Sequence, residues 1–203
     1  MGTRQIDLAD LALPLTLRPA APLSDDDLMR LSERNKPYKI ERNKEGEILF
    51  MTPVGGIGSN HEMYVIARLY DWAEHDAKGI AFGPNGGFNL PDGSCLSPDG
   101  AWLSLTRWNP LSPRDKAGFP PLCPDFIIEV RSKSDARRMV EAKMQTWLDN
   151  GARLAWLIDP LDRNVTIYRP NQPPETLAAP EVVEGETPVE GFSLKAARLW
   201  ATP

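Results

Sequence analysis

Three residues have the types and the order to do chemistry together: Asp99, Glu129 and Lys143. Asp99 stands in "SPDGAWLSL", at the mouth of a segment that reads as a strand. Glu129 lies inside "CPDFIIEVRSKSD", Cys123 to Asp135. Strand residues alternate faces, so Asp125, Ile127, Glu129 and Arg131 point one way and Phe126, Ile128 and Val130 the other. Lys143 belongs to a helix expected from about Asp135 to Asn150, with Ser132 and Asp135 as a capping-box-like start. At 3.6 residues per turn, Ala136, Val140, Met144 and Trp147 make its buried stripe, flanked by Met139 and Leu148. Lys143 falls inside that stripe. A buried, unpaired ammonium is costly, so a carboxylate partner from the preceding strand is expected. A lysine that snorkels to the sheet edge is the other reading.

Two acids on neighbouring strands and a nearby lysine form a compact kit for metal-assisted phosphodiester hydrolysis. Hard carboxylate oxygens suit Mg²⁺, or Mn²⁺, and a bound ion activates water and offsets charge on the phosphate. The lysine would orient that water or stabilise charge in the transition state. Arg131, two residues after Glu129, could supply charge but not act as a base. Each acid alone is unremarkable; order and topology carry the signal.

The remaining chemistry-bearing residues lead elsewhere. His61 and His75 have no nearby cysteine and make no zinc site. The glycines of "VGGIGSN" and "GPNGG" match neither a P-loop nor a dinucleotide fingerprint. Lys133, Arg137 and Arg138 form a small basic cluster that could grip phosphates or merely end a solvated helix. Trp72, Trp147 and Trp156 sit in apolar stripes and are assigned to the core, while Trp102 and Trp108 lie near loops.

The elements that must position these groups fit one domain. The chain has 203 residues, 41% hydrophobic and 25% charged, enough for one well-packed core. Its formal net charge of −5 exerts no global pull toward nucleic acid or anionic membrane. Two cysteines, Cys95 and Cys123, exclude a disulfide framework and a four-cysteine metal site and read as free, half-buried thiols. The N-terminus lacks a signal-peptide pattern and no apolar run reaches membrane-spanning length, so a cytoplasmic location and no membrane partner are expected.

Residues 1–36 read as a proline-rich arm followed by a short helix that Ser24 caps. "YKIERNKEGEILFMTP" reads as two strands around Glu45-Gly46, and "VGGIGSN" as a flexible loop. A helix from about Asn60 to Ala77 follows, with Ile66, Leu69 and Ala73 on one stripe and Val65 and Trp72 beside it. Glu62 lies one turn before Ile66 on that stripe. Short strands come next, then a proline-rich loop from Trp108 to Pro121. "RLAWLID" is almost continuously apolar, as a strand covered on both faces would be, and "NVTIYR" is a further strand. The body spans residues 37–170, and residues 171–203 form a tail whose "GFSLKAARLW" docks back onto it. Hairpins followed by strand, helix and buried strand imply an α/β sandwich around a mixed sheet.

The order "SPD…CPDFIIEVRSKSD…EAKMQTWLDNGARLAWLIDP…VTIYRP", with "GEILFMTPVGG" and "GFNLPDG", resembles the Uma-type restriction endonuclease family, a branch of the PD-(D/E)xK nuclease superfamily. The resemblance runs from about Tyr38 to Pro170. It implies a restriction-endonuclease-like α/β core, a mixed β-sheet flanked by helices, with an N-terminal β-hairpin extension. It also implies a divalent-metal site acting on DNA. Asp99 matches the family's first acid and Glu129 its second. The superfamily's lysine two residues after that acid is replaced by Arg131, and Lys143 matches a helix lysine regarded as its migrated substitute. Glu62 resembles a first-helix acid that would join Asp99 and Glu129 at the metal; a plain N-terminal-turn carboxylate is the other reading.

Three functions are open on these residues. The first is an endonuclease holding Mg²⁺ through Asp99 and Glu129, with Lys143 stabilising charge or orienting water. The second is a nuclease-fold binding or assembly module without turnover, and the third a hydrolase of a smaller phosphodiester. A homodimer is expected for a nuclease that must cut two strands.

Overall fold

Alternation and apolar run length account for most of the elements in the computed structural model, which describes residues 13–201. The expectations for the extreme N-terminus and the first part of the arm lie outside the described residues. In chain order the elements begin with β1 (Leu15–Leu17), α1 (Asp25–Arg34), β2 (Lys39–Arg42), β3 (Ile48–Met51) and α2 (Gly56–Asp76). Then come β4 (Gly79–Phe82), β5 (Phe88–Asn89), β6 (Cys95–Leu96), β7 (Gly100–Ser104), α3 (Leu105–Trp108) and α4 (Pro113–Ala117). The rest are β8 (Phe126–Val130), α5 (Arg137–Asp149), β9 (Leu154–Asp159), β10 (Asn164–Tyr168), β11 (Glu175–Ala178), β12 (Val183–Glu184), β13 (Ser193–Leu194) and α6 (Ala197–Trp200).

Two main sheets result. A six-stranded sheet runs β11-β10-β9-β8-β7-β4, and a five-stranded sheet runs β1-β3-β2-β6-β5. Among the described residues only β8 and β9 pair in parallel, and α5 supplies the long crossover that parallel neighbours require. The other pairings in both sheets are antiparallel. β8, β9 and β10 are buried along their whole length, which explains why they read as nearly unbroken apolar runs.

One face of the large sheet packs Phe126, Ile128 and Trp156 against Val65, Leu69 and Ala73 of α2. Phe192, Leu194 and Leu199 of the tail enter the same cluster, and β11 extends the sheet beside β10. The other face packs Ile127, Ala155 and Leu157 against Met144 and Trp147 of α5. A third cluster joins Leu28 of α1 to Ile40, Ile48 and Phe50, with Leu13, Leu15 and Leu17 against it. The arm from Leu13 onward is therefore part of a packed sheet rather than set apart from the core. Among the described residues no helix is long and apolar enough to cross a membrane.

Several local expectations are corrected. α2 begins at Gly56, with Gly55 as its cap, so most of "VGGIGSN" is helical. Packing of His61, Val65, Leu69 and Ala73 outweighs the weak helix propensity of glycine. α5 begins at Arg137 after Ala136; Ser132 and Asp135 instead close a turn, with Ser132 N and Oγ both donating to Asp135 Oδ2. Met139 is exposed and so is Ala136, so the buried stripe of α5 starts only at Val140. The proline-rich loop contains α4, which opens on a Ser112–Asp115 capping box with Pro113 in its first turn. Trp102 is buried against Trp72. Both thiols are fully buried, and burial pushes each up to about 12.

Asp125 explains itself as a staple. Its buried carboxylate accepts from Ser104 N at 2.9 Å and Arg107 Nη1 at 2.8 Å, tying the end of β7 and the start of α3 to the strand that carries Glu129. Asp125→Ala is expected to lower unfolding free energy by roughly 2–3 kcal/mol, since it orphans a backbone donor and a charged one. Urea denaturation monitored by tryptophan fluorescence checks this; a loss under about 0.5 kcal/mol would remove the staple from the account.

Candidate active site at the seam of the two sheets

The chain crosses from the five-stranded sheet to the six-stranded sheet between β6 and β7, and Asp99 sits on that crossing. Glu129 comes from β8, the neighbour of β7. Alternation along β2 turns Lys39 and Glu41 toward the same seam, while Ile40 enters the third core cluster. α5, packed on the face of β8 that carries Ile127, brings Lys143 to Glu129.

These side chains form one network. Lys143 Nζ donates to Glu41 Oε1 and to the Ser97 carbonyl, both at 2.9 Å, and pairs with Glu129 Oε1 at 2.9 Å. Ser97 N donates to Glu41 Oε1 at 2.9 Å, so the crossing segment is gripped through both backbone groups of one residue. Asp99 accepts from Lys39 Nζ at 3.1 Å through Oδ1 and from Val130 N at 2.8 Å through Oδ2. Trp147 Nε1 donates to Glu129 Oε1 at 2.9 Å. The Lys143 and Trp147 contacts both fall on Glu129 Oε1; among the described residues no hydrogen bond ends on Oε2.

Glu62 faces the same charges from α2. Gly100 allows the approach: a Cβ there would lie 2.9 Å from Ile66 Cδ1. Burial raises the Glu62 carboxyl to about 7, and Asp99 adds to the rise while Lys39 opposes it. Glu129 is also pushed up to about 7 by burial, against the pull of Lys143 and with a push from Asp99. Burial would raise Asp99 too, but Lys39, Lys143 and the Val130 amide hold it below the usual carboxylate range. Burial works against both ammonium charges, yet Asp99 keeps Lys39 protonated, and Glu129 with Glu41 keeps Lys143 so.

The structure thus brings Asp99, Glu129 and Lys143 together, with Glu62 within electrostatic reach. It does not bring Arg131. β8 ends at Val130, and the Arg131 guanidinium turns to Asp159 Oδ2 at 2.7 Å and Asp162 Oδ2 at 3.3 Å, where it braces the end of β9. Arg137, of the basic cluster, pairs with Glu141 and Asp162. His61 is buried beside α6 and held neutral by burial and Arg198. Sequence reasoning missed Lys39 and Glu41, whose only signal was that "KIER" alternates and would put both on one face.

Among the described residues no three acid, histidine or cysteine side chains converge as a ready-made metal-holding group. The donor chemistry nevertheless fits a hard divalent ion. Four acids, Glu41, Glu62, Asp99 and Glu129, share the seam with two ammonium groups; burial is the main cause that raises the Glu62 and Glu129 carboxyls, and Asp99 adds to it.

The fold is a mixed α/β one shared with a solved structure. The structure is similar, with a TM-score of 0.73 and 23% identity, to one from Anabaena variabilis described as a "putative nuclease", covering 89% of this chain and 98% of that one. The chain belongs to the Uma2 family, described as "Putative restriction endonuclease", whose profile matches residues 25–197. No curated protein matches it.

Glu62 also makes a pH test. Its folded value, near 7, lies above the usual 4.5, so its contribution favours folding below about 4.5 and is lost as pH rises through 7. His61 acts oppositely below 6.5, so wild type must be compared with Glu62→Gln. In chelator, Glu62→Gln is expected to raise the melting temperature at pH 8 relative to wild type and leave it little changed at pH 4.5. Equal shifts at both pH values would show that Glu62 does not feel the seam.

Proposed function

We propose that the protein is a divalent-metal-dependent endonuclease that hydrolyses DNA phosphodiester bonds at this seam. The observation that carries the reading is the approach of Asp99, at the entry to β7, to Glu129 of the neighbouring β8, beside two partly buried ammonium groups. Asp99 and Glu129 would hold Mg²⁺ or Mn²⁺, with Glu62 as an outer acid, and the ion would supply an activated water and offset phosphate charge. The protein's own part is preorganisation. Val130 N and Trp147 Nε1 fix the two acids, so neither needs to reorient when substrate arrives. Lys143 holds Glu129 against Glu41 and the Ser97 carbonyl, and its charge remains in place to stabilise an accumulating negative phosphate. DNA as substrate rests on the family, since the net charge provides no general attraction.

A second reading, a nuclease-fold binding or assembly module, draws on the same ion pairs. Asp99 and Glu129 already have ammonium partners, so the seam is partly compensated without an ion. Isothermal calorimetry with Mn²⁺ separates the two. Wild type is expected to bind, Asp99→Ala and Glu129→Ala to lose binding at least tenfold, and supercoiled plasmid to be nicked only with metal and with both acids present. An intact fold that neither binds Mn²⁺ nor nicks plasmid would favour the module.

A further inference from the structure

The seam holds two ammonium groups, and they are not equivalent. Three oxygens surround Lys143 Nζ at 2.9 Å, from Glu41, Ser97 and Glu129, as many as an ammonium has N–H groups. Each tie holds a different element, and the Lys143 side chain is only 17% exposed. Lys39 has one acceptor among the described residues, Asp99 Oδ1, at the longer distance of 3.1 Å. It is the first residue of β2, one pleat out from the buried Glu41, and its side chain is 23% exposed. A phosphate drawn to the seam therefore meets in Lys39 an ammonium with N–H groups to give. Lys143 could offer one only by loosening its hold on β2, β8 or the crossing segment.

We infer that Lys39 is the ammonium that contacts the scissile phosphate, and that Lys143 is a positioning residue. This rests on the nuclease reading and changes the assignment of charge within it. Lys39 acts by electrostatics alone: it keeps its proton, shares Asp99 with whatever cation that acid holds, and donates to a non-bridging phosphate oxygen as negative charge accumulates there. Lys143 acts through Glu129 and the Ser97–Asp99 crossing, whose placement it fixes.

The test combines salt-dependent DNA binding, nicking and melting. Binding of a short duplex is followed by fluorescence anisotropy in Ca²⁺ across a KCl series, with duplex integrity checked on a gel. Lys39→Met is expected to make the plot of log K against log salt shallower by about one unit, the signature of one lost phosphate contact. Its nicking rate in Mg²⁺ is expected to fall roughly 10²–10³-fold, in line with loss of one preorganised donor. Lys39→Arg, which keeps the charge, should recover much of the salt slope. Lys143→Met is expected to leave the slope unchanged and to lower the melting temperature more than Lys39→Met does. Lys39→Gln, which retains a donor for Asp99, is measured alongside so that poor folding of one variant leaves another to read. The inference is overturned if Lys39→Met and Lys39→Gln both keep the wild-type slope and rate, or if Lys143→Met is the variant that flattens the slope. A wild type that binds no Mn²⁺ and no duplex overturns the nuclease reading itself, and this assignment falls with it.

Discussion

Lys143 reaches three segments at once, and the arrangement of the seam depends on that reach. Its ammonium touches Glu41 of the small sheet, Glu129 of the large sheet and the carbonyl of Ser97 on the chain that joins them. Two sheets that share no backbone ladder could shift against one another. A largely buried charge with three acceptors resists that shift, because breaking any one tie gives up part of the pairing that offsets the desolvation of these groups. The cost of burying the charges is offset only while the geometry is intact. Asp99 is thereby placed by a constraint two residues away from it.

The same logic divides the polar residues in and beside β8. Asp125, Glu129 and Arg131 look like a single polar face in a strand diagram, yet each has a different task. Asp125 staples the end of β7, Glu129 enters the seam, and Arg131 braces the end of β9. Buried polar groups in so apolar a strand must each find a partner, but satisfying a partner is not the same as forming a site. What distinguishes Glu129 is that its neighbours are a lysine from a helix and an indole N–H, whereas Asp125 and Arg131 are committed to backbone and salt-bridge partners.

The excess of acid over ammonium in the seam is the site's chemical signature. Structural ion pairs tend to match charge for charge. Here Glu62 and Glu129 are both driven toward neutral pH by burial among other acids. Perturbed carboxyls gathered where two sheets meet are where a function is to be sought. Family membership points to nuclease chemistry, and the proposed function assigns that chemistry to these residues.

Much of this was legible in the one-dimensional chain. Continuous apolar runs marked β8, β9 and β10, alternation marked the hairpin of β2 and β3, and a lysine interrupting an apolar helix stripe marked Lys143 as a group in need of an acid. Those signals are local, set by the period of two or 3.6 residues, and a sequence carries them directly. The glycine-rich start of α2 was not legible, because its helical state comes from burial of a face further along. Lys39 and Glu41 were not legible as site residues either. By themselves they are ordinary polar positions on a hairpin, and only the packing of one sheet's end against the other turns that face inward. The sequence by itself thus determined which segments form and which acid and lysine could not stand alone. The tertiary structure decided which groups meet, since ion pairing acts over a few ångströms and depends on distances that strand order and sheet packing alone can set.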